Sequence, residues 1–307
     1  MPRRQLILIL AAATGCAGMI VALAQDTKGK GRPSPESFAE SLTAGVESRL
    51  KGKTPSEGTR NVFSKKDHAA GKYTRNPNLW CADLVPQLTG CAVWKPPLEY
   101  AGERYGGVMI TSRHILFCKH SHPAWDGGWM KVQPQIIRFV TADNKTVDMK
   151  LIADVNSQDQ DLCVGLLNED VPQGIHVVPL MPRLAPLQRD FLDKKHVLDL
   201  GISQAGIRPP KNEKHESVVY PGPPGLAADS PGKPWTFEVY PGDSGTPRFY
   251  VTPAGLALYE LTGAGDADPP VLEALIAACD ANAVQRGVLK QPTGKKPVVA
   301  KLAVPAE

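Results

Sequence analysis

A chain of 307 residues that is 42% hydrophobic is long enough for one large globular domain with appendages, or for two domains. Its formal net charge is +4, and it falls to +2 when Arg3 and Arg4 leave with residues 1–24, which hold no acidic residue. Because no run of like charge is long enough to follow a phosphate backbone, the composition argues against nucleic acid as a partner.

Residues 1–24 have the pattern of a secretory signal peptide. A basic start precedes an apolar region, and Ala22-Leu23-Ala24 is a cleavage site of the A-x-A type. A permanent anchor is the alternative, since the apolar run approaches the length that spans a bilayer. Two glycines within the run and the cleavage site favour removal. We therefore expect a mature chain that begins at Gln25, is secreted or periplasmic, and has no membrane contact after cleavage.

Export makes disulfide bonds possible, and five of the six cysteines lie beyond the signal peptide. An odd number leaves at least one thiol unpaired. Cys81 and Cys91 flank a short loop that contains proline and glycine, and we predict a disulfide bond between them. Two reduced, buried thiols are the alternative.

Residues 25–75 are rich in Lys, Gly, Ser, Pro and Glu and poor in large apolar side chains. Apolar residues at helical spacing nevertheless predict one amphipathic helix over residues 37–51, with a face formed by Phe38, Leu42, Val46 and Leu50. The rest of the segment is typical of a disordered linker or of a pro-segment, and its composition leaves both interpretations open.

From Trp80 to about Leu261, short apolar runs alternate with Gly, Pro, Asn and Asp. This spacing is typical of an all-β sandwich or barrel. Asp143-Asn144, between two of the runs, predicts a hairpin turn. The predicted strands are residues 107–110, 136–140, 147–155, 162–167 and 196–202.

One further helix is predicted after the strands. Asp268 is a candidate N-cap, Pro269 and Pro270 suit the first turn, and Gly287 suits the end. The apolar residues that would share its buried face are Leu272, Leu275, Ile276, Cys279 and Ala283. Residues 291–307 are predicted to be a flexible tail.

The most informative segment is Gly242-Asp243-Ser244-Gly245, which Thr246-Pro247 follows. A serine between an acid and a glycine, in a turn held by glycine and proline, is typical of an exposed nucleophile. An ordinary surface turn is the alternative interpretation.

Two residues upstream are candidate partners of this serine. His120 follows an apolar run, so a strand would present it at its end; His114 and His122 are the alternatives. Asp161 directly precedes another apolar run and would be tolerated in the interior if it paired with a histidine, the alternative being a turn residue. A zinc site built on His120, His122 and a third ligand is an alternative, but a His-x-His pair without further ligand spacing is common by chance. We expect neither a metal nor an organic cofactor.

Taken together, these segments resemble the chymotrypsin-like (trypsin-like) serine proteases. Residues 109–120 are similar to that family's strand, turn and catalytic histidine, residues 161–167 to its Asp-Ile-Ala-Leu-Leu strand, and residues 242–247 to its Gly-Asp-Ser-Gly-Gly-Pro loop. They occur in the family's order, with 41 residues from position 120 to position 161 and 83 from there to position 244. The resemblance covers about residues 80–287.

The resemblance implies an all-β fold of two antiparallel Greek-key β-barrels with a C-terminal helix, over a protease domain of residues 76–290. It implies an exported serine endopeptidase that works through an acyl-enzyme intermediate. Ser244 would be the nucleophile, His120 the general base and Asp161 the acid that orients the imidazole. The main-chain N–H groups of Gly242 and Ser244 would form the oxyanion hole.

The same resemblance bears on the substrate. The residue six before the nucleophile is Glu238, and in the family this position lies at the base of the primary specificity pocket. A buried carboxylate there would favour Lys or Arg in the substrate, whereas an exposed glutamate on a differently shaped loop would not. Gly263 would lie in the pocket wall. We expect a protein or peptide substrate and a monomeric enzyme.

The chain also departs from the family. The Ile-Val-Gly-Gly sequence that forms a new N-terminus is absent, so no partner for Asp243 is identified. Ser121 replaces the family's cysteine after the histidine, and a bridge between Cys118 and Cys163 is one possible substitute, two buried thiols being the other.

Three other classes of protein compete with this interpretation, and the last of them is a structural or adhesive exported β protein, for which the match would be a coincidence. The first is a catalytically inactive protease-fold binding protein, against which the three filled triad positions argue. The second is an esterase of the α/β-hydrolase type, whose serine motif ends in glycine and whose histidine follows the serine. Here Thr246 occupies the last position of that motif and no histidine follows Ser244.

Overall fold

The computed structural model describes residues 32–67, 69–94, 104–121, 136–184, 197–200, 205–208, 235 and 244–304. From Pro33 onward they belong to one compact unit. The predicted signal peptide, residues 1–24, lies outside the described residues.

An amphipathic helix begins the described chain. Ser34 caps helix α1 (Pro35–Leu50), because its Oγ accepts a hydrogen bond of 3.2 Å from the N–H of Ser37. The helix begins two residues before the predicted start, and its predicted apolar face is buried. This face packs against strand β11, which lies near the other end of the sequence (Pro247–Thr252).

The segment after α1 is also folded. A short helix, α2 (Glu57–Arg60), leads into a hairpin of strands β1 (Phe63–Asp67) and β2 (Lys72–Arg75). Val62, Phe63 and Tyr73 belong to the main hydrophobic cluster. The composition of residues 25–75 predicts a linker or pro-segment, yet from residue 33 on its few apolar side chains are buried in the common core. Removal of this segment during maturation stays a prediction.

Six antiparallel strands form a nearly closed barrel. Their order in the sheet is β3-β4-β5-β8-β7-β6, and the two edge strands, β3 and β6, lie against each other. Asn144, at a φ of +70°, forms the predicted turn between β6 and β7. The six strands are β3 (Cys91–Trp94), β4 (Arg104–Met109), β5 (His114–Cys118), β6 (Ile136–Val140), β7 (Thr146–Asn156) and β8 (Leu162–Leu167).

Apolar side chains from one face of these strands fill the barrel, among them Met109, Phe117 and Phe139. The opposite face packs into the main cluster, so every residue of β5 and of β8 is buried. Strands buried on both faces read as continuous apolar runs. This explains the predicted ends of β8. Strand β6, whose Ile136 and Arg138 are only partly buried, also has its predicted ends. Strand β4 begins three residues before its predicted start and ends one residue before its predicted end, and β7 is one residue longer at each end.

A second sheet has five antiparallel strands in the order β10-β9-β11-β12-β13. The prediction for residues 196–202 corresponds to β9, and residues 196, 201 and 202 lie outside the described residues. Across the residues that the structure describes, this sheet is not shown to close into a second barrel. Its strands are β9 (Val197–Leu200), β10 (Ala205–Arg208), β11, β12 (Gly255–Leu261) and β13 (Gly265–Asp266).

A short helix, α3 (Val85–Leu88), precedes β3, and the C-terminal helix, α4 (Pro269–Gln285), packs on β7 and β8. Asp268 is its N-cap residue, but its side chain makes no capping hydrogen bond. Gly287, at a φ of +71°, follows the helix end as predicted. Of the predicted buried face, Leu272, Ile276, Cys279 and Ala283 are buried and Leu275 is half-buried.

The chain after α4 pairs with the body of the protein. Leu180 donates its N–H to the carbonyl of Val298 and accepts from the N–H of Ala300, at 2.7 and 2.8 Å. Leu302 and Val304 pack beside the α1 face. Within the described residues, no helix is both long and apolar enough to cross a membrane.

All five cysteines beyond the signal peptide are buried free thiols. The predicted pairs Cys81–Cys91 and Cys118–Cys163 are therefore not formed in this structure. Burial raises the pKa of Cys91 to about 12 and also raises that of Cys81. Cys118 lies opposite Leu162 in the register of β5 and β8, so Cys163, one residue further on, points to the other face and into the barrel.

Candidate active site

Pairing of β5 with β8 brings the first two candidate residues together. Cys118, the last residue of β5, lies opposite Leu162, the first residue of β8. A 3₁₀ turn (Lys119–Ser121) continues β5, and its Lys119 N–H donates to the carbonyl of Asp161 at 2.8 Å. Because the strands are antiparallel, the residues that follow β5 meet those that precede β8.

The carboxylate of Asp161 holds His120 in two places. One oxygen, Oδ1, accepts a hydrogen bond of 3.0 Å from the main-chain N–H of His120, and Oδ2 is hydrogen-bonded to the ring Nδ1. A carboxylate accepts, so Nδ1 carries the hydrogen, and Nε2 of the neutral ring is then a proton acceptor. The side chains are 47% and 33% exposed, so solvent reaches the pair.

A thiol touches both members of this pair. Sγ of Cys118 lies 2.9 Å from Nδ1 of His120 and donates to Oδ2 of Asp161 at 3.3 Å. The sequence prediction missed this contact. Its only local signal was that residues 118 and 120 are two positions apart, and the 3₁₀ turn after β5 interrupts the strand alternation that would place both side chains on one side. These three donor atoms lie within 4.8 Å of one another, which makes the three side chains a possible ligand set for a metal ion.

The third candidate, Ser244, lies in the turn before β11. Gly245 adopts a φ of +83° and donates its N–H to the carbonyl of Thr262 at 2.9 Å. A Cβ added to Gly245 would come within 2.9 Å of Cβ and 3.2 Å of N of Cys118. The serine turn therefore lies directly against the strand end that leads to His120, and only glycine combines this φ with so close an approach.

Gly263, expected in the pocket wall, lies beside the candidate nucleophile. It adopts a φ of +67°, and a Cβ added there would lie 3.6 Å from Oγ of Ser244. Gly242, Asp243 and Glu238 fall outside the residues that the structure describes, so the oxyanion-hole and specificity-pocket predictions for them stay predictions.

His114, the alternative base, has a different environment. It is fully buried in β5, where Nε2 lies 3.2 Å from Oδ1 of Asp280 in α4 and Nδ1 lies 2.9 Å from Oγ1 of Thr111. Burial lowers the pKa of His114, and the nearby Asp280 opposes this only in part. The pair joins the barrel to α4 in the interior. The other alternative, His122, lies outside the described residues.

Comparison with protein-family models gives no match to this chain, and comparison with curated proteins finds no significant similarity. The resemblance to the chymotrypsin-like serine proteases therefore stays a prediction.

Proposed function

We propose that this protein is an exported serine endopeptidase that cleaves peptide bonds with Ser244, His120 and Asp161. The observation that carries the proposal is the double hydrogen bond by which Asp161 holds the main-chain N–H and Nδ1 of His120. A histidine base needs a fixed ring and a fixed tautomer, and these two bonds supply both.

The proposed reaction is acyl transfer. Oγ of Ser244 attacks the scissile carbonyl, and its proton passes to Nε2 of His120, which later gives it to the leaving amine. Asp161 remains a carboxylate and stabilises the imidazolium that forms. The N–H groups of Gly242 and Ser244 are assigned to the oxyanion that develops on the carbonyl.

The contact between Gly245 and Cys118 supports a convergence of Ser244 with His120. An approach of 2.9 Å between a hypothetical Cβ and the Cys118 Cβ leaves no room for another residue between the two segments. Since Ser244 precedes Gly245 and His120 follows Cys118 by two residues, both candidates belong to the same small region of the molecule.

The proposal includes a fold of two antiparallel Greek-key barrels, with the active site between them. It is supported by the distribution of the residues. His120 and Asp161 come from the nearly closed barrel, whereas Ser244 and Gly263 come from turns of the second sheet. In this arrangement residues 76–290 form the catalytic domain of a secreted or periplasmic monomer, which acts on protein or peptide substrates.

Reaction with a fluorophosphonate probe tests the proposal, because such probes attach covalently to an activated serine. We expect the purified full chain to be labelled, either directly or after limited proteolysis, and Ser244→Ala to lose the label. Ser48→Ala is the matched control: Ser48 is exposed on α1 and bonds only locally, to the carbonyl of Gly45. Its labelling should equal that of the wild type.

Folded wild-type protein that stays unlabelled before and after limited proteolysis would count against hydrolysis and in favour of an inactive binding protein with the same fold. A label that persists in Ser244→Ala would show that another residue is the nucleophile.

A further inference from the structure

The Cys118 thiol has no part in the proposed reaction, yet it contacts the base and the acid of the proposed triad. Its Sγ lies 2.9 Å from Nδ1 of His120 and 3.3 Å from Oδ2 of Asp161. We propose that these three side chains form a zinc-binding site and that bound Zn²⁺ switches off the hydrolytic reaction. Binding stands on the geometry alone, whereas inhibition rests on the proposed function.

The ligand set suits zinc. Zn²⁺ binds thiolate, imidazole and carboxylate ligands, and three protein ligands leave a fourth tetrahedral position for water. The thiolate selects a borderline-soft ion over Mg²⁺ or Ca²⁺, which prefer oxygen ligands. The donor atoms come from two neighbouring strand ends that the barrel holds in register, so the site is largely formed before an ion arrives.

The distances allow an ion to enter with a small movement. Zinc bonds of about 2.0–2.3 Å place neighbouring ligand atoms about 3.3–3.8 Å apart in a tetrahedron. A sulfur–oxygen pair in such a tetrahedron is about 3.5–3.7 Å apart. The separation of 3.3 Å between Sγ of Cys118 and Oδ2 of Asp161 is a few tenths of an ångström short of this. The largest movement is that of the His120 ring, which has to withdraw by roughly 1 Å. Its side chain is 47% exposed, so solvent lies on the side to which it would move.

Zinc at Nδ1 would remove the base. A neutral imidazole carries one hydrogen, and with zinc on Nδ1 of His120 that hydrogen resides on Nε2. Nε2 then donates where the mechanism requires it to accept the proton of Ser244. Zn²⁺ also displaces the thiol proton of Cys118 into solvent, so binding releases one proton and changes no oxidation state.

Cobalt substitution tests the site without any need for activity, since a Co²⁺–thiolate bond gives a charge-transfer band in the near ultraviolet. We expect reduced, full-length protein without a histidine tag to show this band with one equivalent of Co²⁺. Excess Zn²⁺ should abolish the band and Mg²⁺ should leave it unchanged. Cys118→Ala should lose it, and the matched control Cys91→Ala, which removes a buried thiol from β3, should keep it.

A second variant guards against misfolding of Cys118→Ala. His120→Gln changes a half-exposed side chain and should weaken Co²⁺ binding by at least about 10–100-fold. Fluorophosphonate labelling then reports inhibition: saturating Zn²⁺ should slow the labelling of Ser244 by about 10²-fold or more, the usual contribution of a general base.

The outcomes separate the two proposals. A wild-type protein without the band at excess Co²⁺, or a band that persists in Cys118→Ala, overturns the metal site. Labelling that is unchanged by saturating Zn²⁺ overturns the inhibition. A Co²⁺ band that depends on Cys118 supports the metal site even if the probe fails to label the protein in the absence of metal. That failure would count against the proposed hydrolysis alone.

Discussion

Both carboxylate oxygens of Asp161 bind His120, and these two hydrogen bonds restrict the position of the residue and the orientation of its ring. The bond from the main-chain N–H at 3.0 Å positions the backbone of the 3₁₀ turn, and the bond from Nδ1 fixes the ring. Without Oδ1 the His120 ring could still bind Oδ2, but the 3₁₀ turn that carries the ring would be less constrained. A carboxylate at position 161 therefore fixes both the main-chain position of His120 and the tautomer of its neutral ring.

The substitution Asp161→Asn tests this control. The amide retains the size of the side chain but can present an N–H to Nδ1, which favours the tautomer with the hydrogen on Nε2. We expect kcat for a peptide substrate to fall by about 10⁴-fold with little change in KM, as is typical when a triad base adopts the wrong tautomer. The matched control is Asp159→Asn, two residues away, which should retain wild-type activity. Equal activity in wild type and Asp161→Asn would exclude the assigned role.

The close contact of Gly245 with Cys118 predicts that a side chain at position 245 lowers the free energy of unfolding. The change Gly245→Ala adds a Cβ at a φ of +83° and within 2.9 Å of Cys118. The matched control is Gly52→Ala, at a φ of +73° with no atom within 4 Å of the added Cβ. Strain at positive φ costs about 1–2 kcal/mol in both, and overpacking adds about 1–3 kcal/mol in the first only. Chemical denaturation that gives equal losses for the two variants would contradict the close contact.

The predictability of the site differs from residue to residue. His120 and Asp161 were predictable because each adjoins an apolar run, and antiparallel pairing of two such runs brings their ends together. The contact of Cys118 with both was not predicted, because it depends on the register of β5 and β8. Local sequence does not specify a register between strands that lie more than 40 positions apart.

At the level of elements, helix α1 approaches the backbone of strand β11 closely. A Cβ added to Gly45 in α1 would lie 2.7 Å from the carbonyl oxygen of Val251. Helix and strand are therefore nearer than any other side chain at position 45 would permit. Phe38 and Leu42, from the same helix, pack beside Tyr250 in one cluster. The helix thus supports the strand that begins just after the serine turn.

The close contact between α1 and β11 predicts that Gly45→Ala destabilises the protein, although a Gly-to-Ala change in a helix usually stabilises it. In a helix, alanine is favoured over glycine by up to about 1 kcal/mol, so Gly58→Ala in α2, where the added Cβ meets only Oγ of Ser56 at 3.6 Å, should be neutral or stabilising. Gly45→Ala should lower the free energy of unfolding by about 1–3 kcal/mol, because the backbone of β11 cannot yield as a side chain can. Urea denaturation of both variants measures the difference, and stabilisation by Gly45→Ala would rule out the contact.

Elements were predicted best where burial and periodicity agree. The amphipathic pattern located α1 and α4 to within two residues, and continuous apolar runs located β6 and β8. Most strands of the second sheet were missed. Strand β11 begins with Pro247 and Arg248, β12 has a glycine at its start and Glu260 near its end, and β10 and β13 have only four and two residues. The charge of Arg248 is accommodated by a buried ion pair with Glu260 on β12, a partner that only the folded sheet supplies.

For the whole molecule, the contact between His114 and Asp280 joins the barrel to the C-terminal helix. Asp280 also accepts hydrogen bonds from the N–H and Oγ1 of Thr293, at 2.8 and 2.7 Å, so the same carboxylate fixes the chain after α4. Arg113 and Asp170 are the other charged groups near His114, and they act in opposite directions on its pKa. One buried pair thus connects three parts of the sequence.

This pair predicts loss of stability in mild acid. The pKa of His114 is lowered in the folded protein, mainly by burial, whereas an unfolded histidine has a pKa of about 6.5. Below that value the unfolded chain binds a proton that the folded chain does not, so the free energy of unfolding is full above about pH 6.5 and falls as the pH drops.

The measurement is urea denaturation between about pH 5 and pH 7, the range in which histidines titrate. His114→Gln retains hydrogen-bonding capacity without titrating in this range, so its stability should depend less steeply on pH. Some dependence should remain, because burial lowers the pKa of His176 as well. Identical slopes for wild type and His114→Gln would show that His114 does not cause the acid sensitivity.

The packing of α1 also determines what a proteolytic cut near the N-terminus would produce. The link between α1 and α2 contains the exposed sequence Lys51-Gly52-Lys53, which a protease that cleaves after lysine would recognise. The helix before this link packs closely on β11. A cut there would yield a nicked, two-chain protein that migrates as one species in gel filtration and as two on a denaturing gel. Cleavage of that peptide bond would not by itself release the helix, because the contacts between α1 and β11 remain.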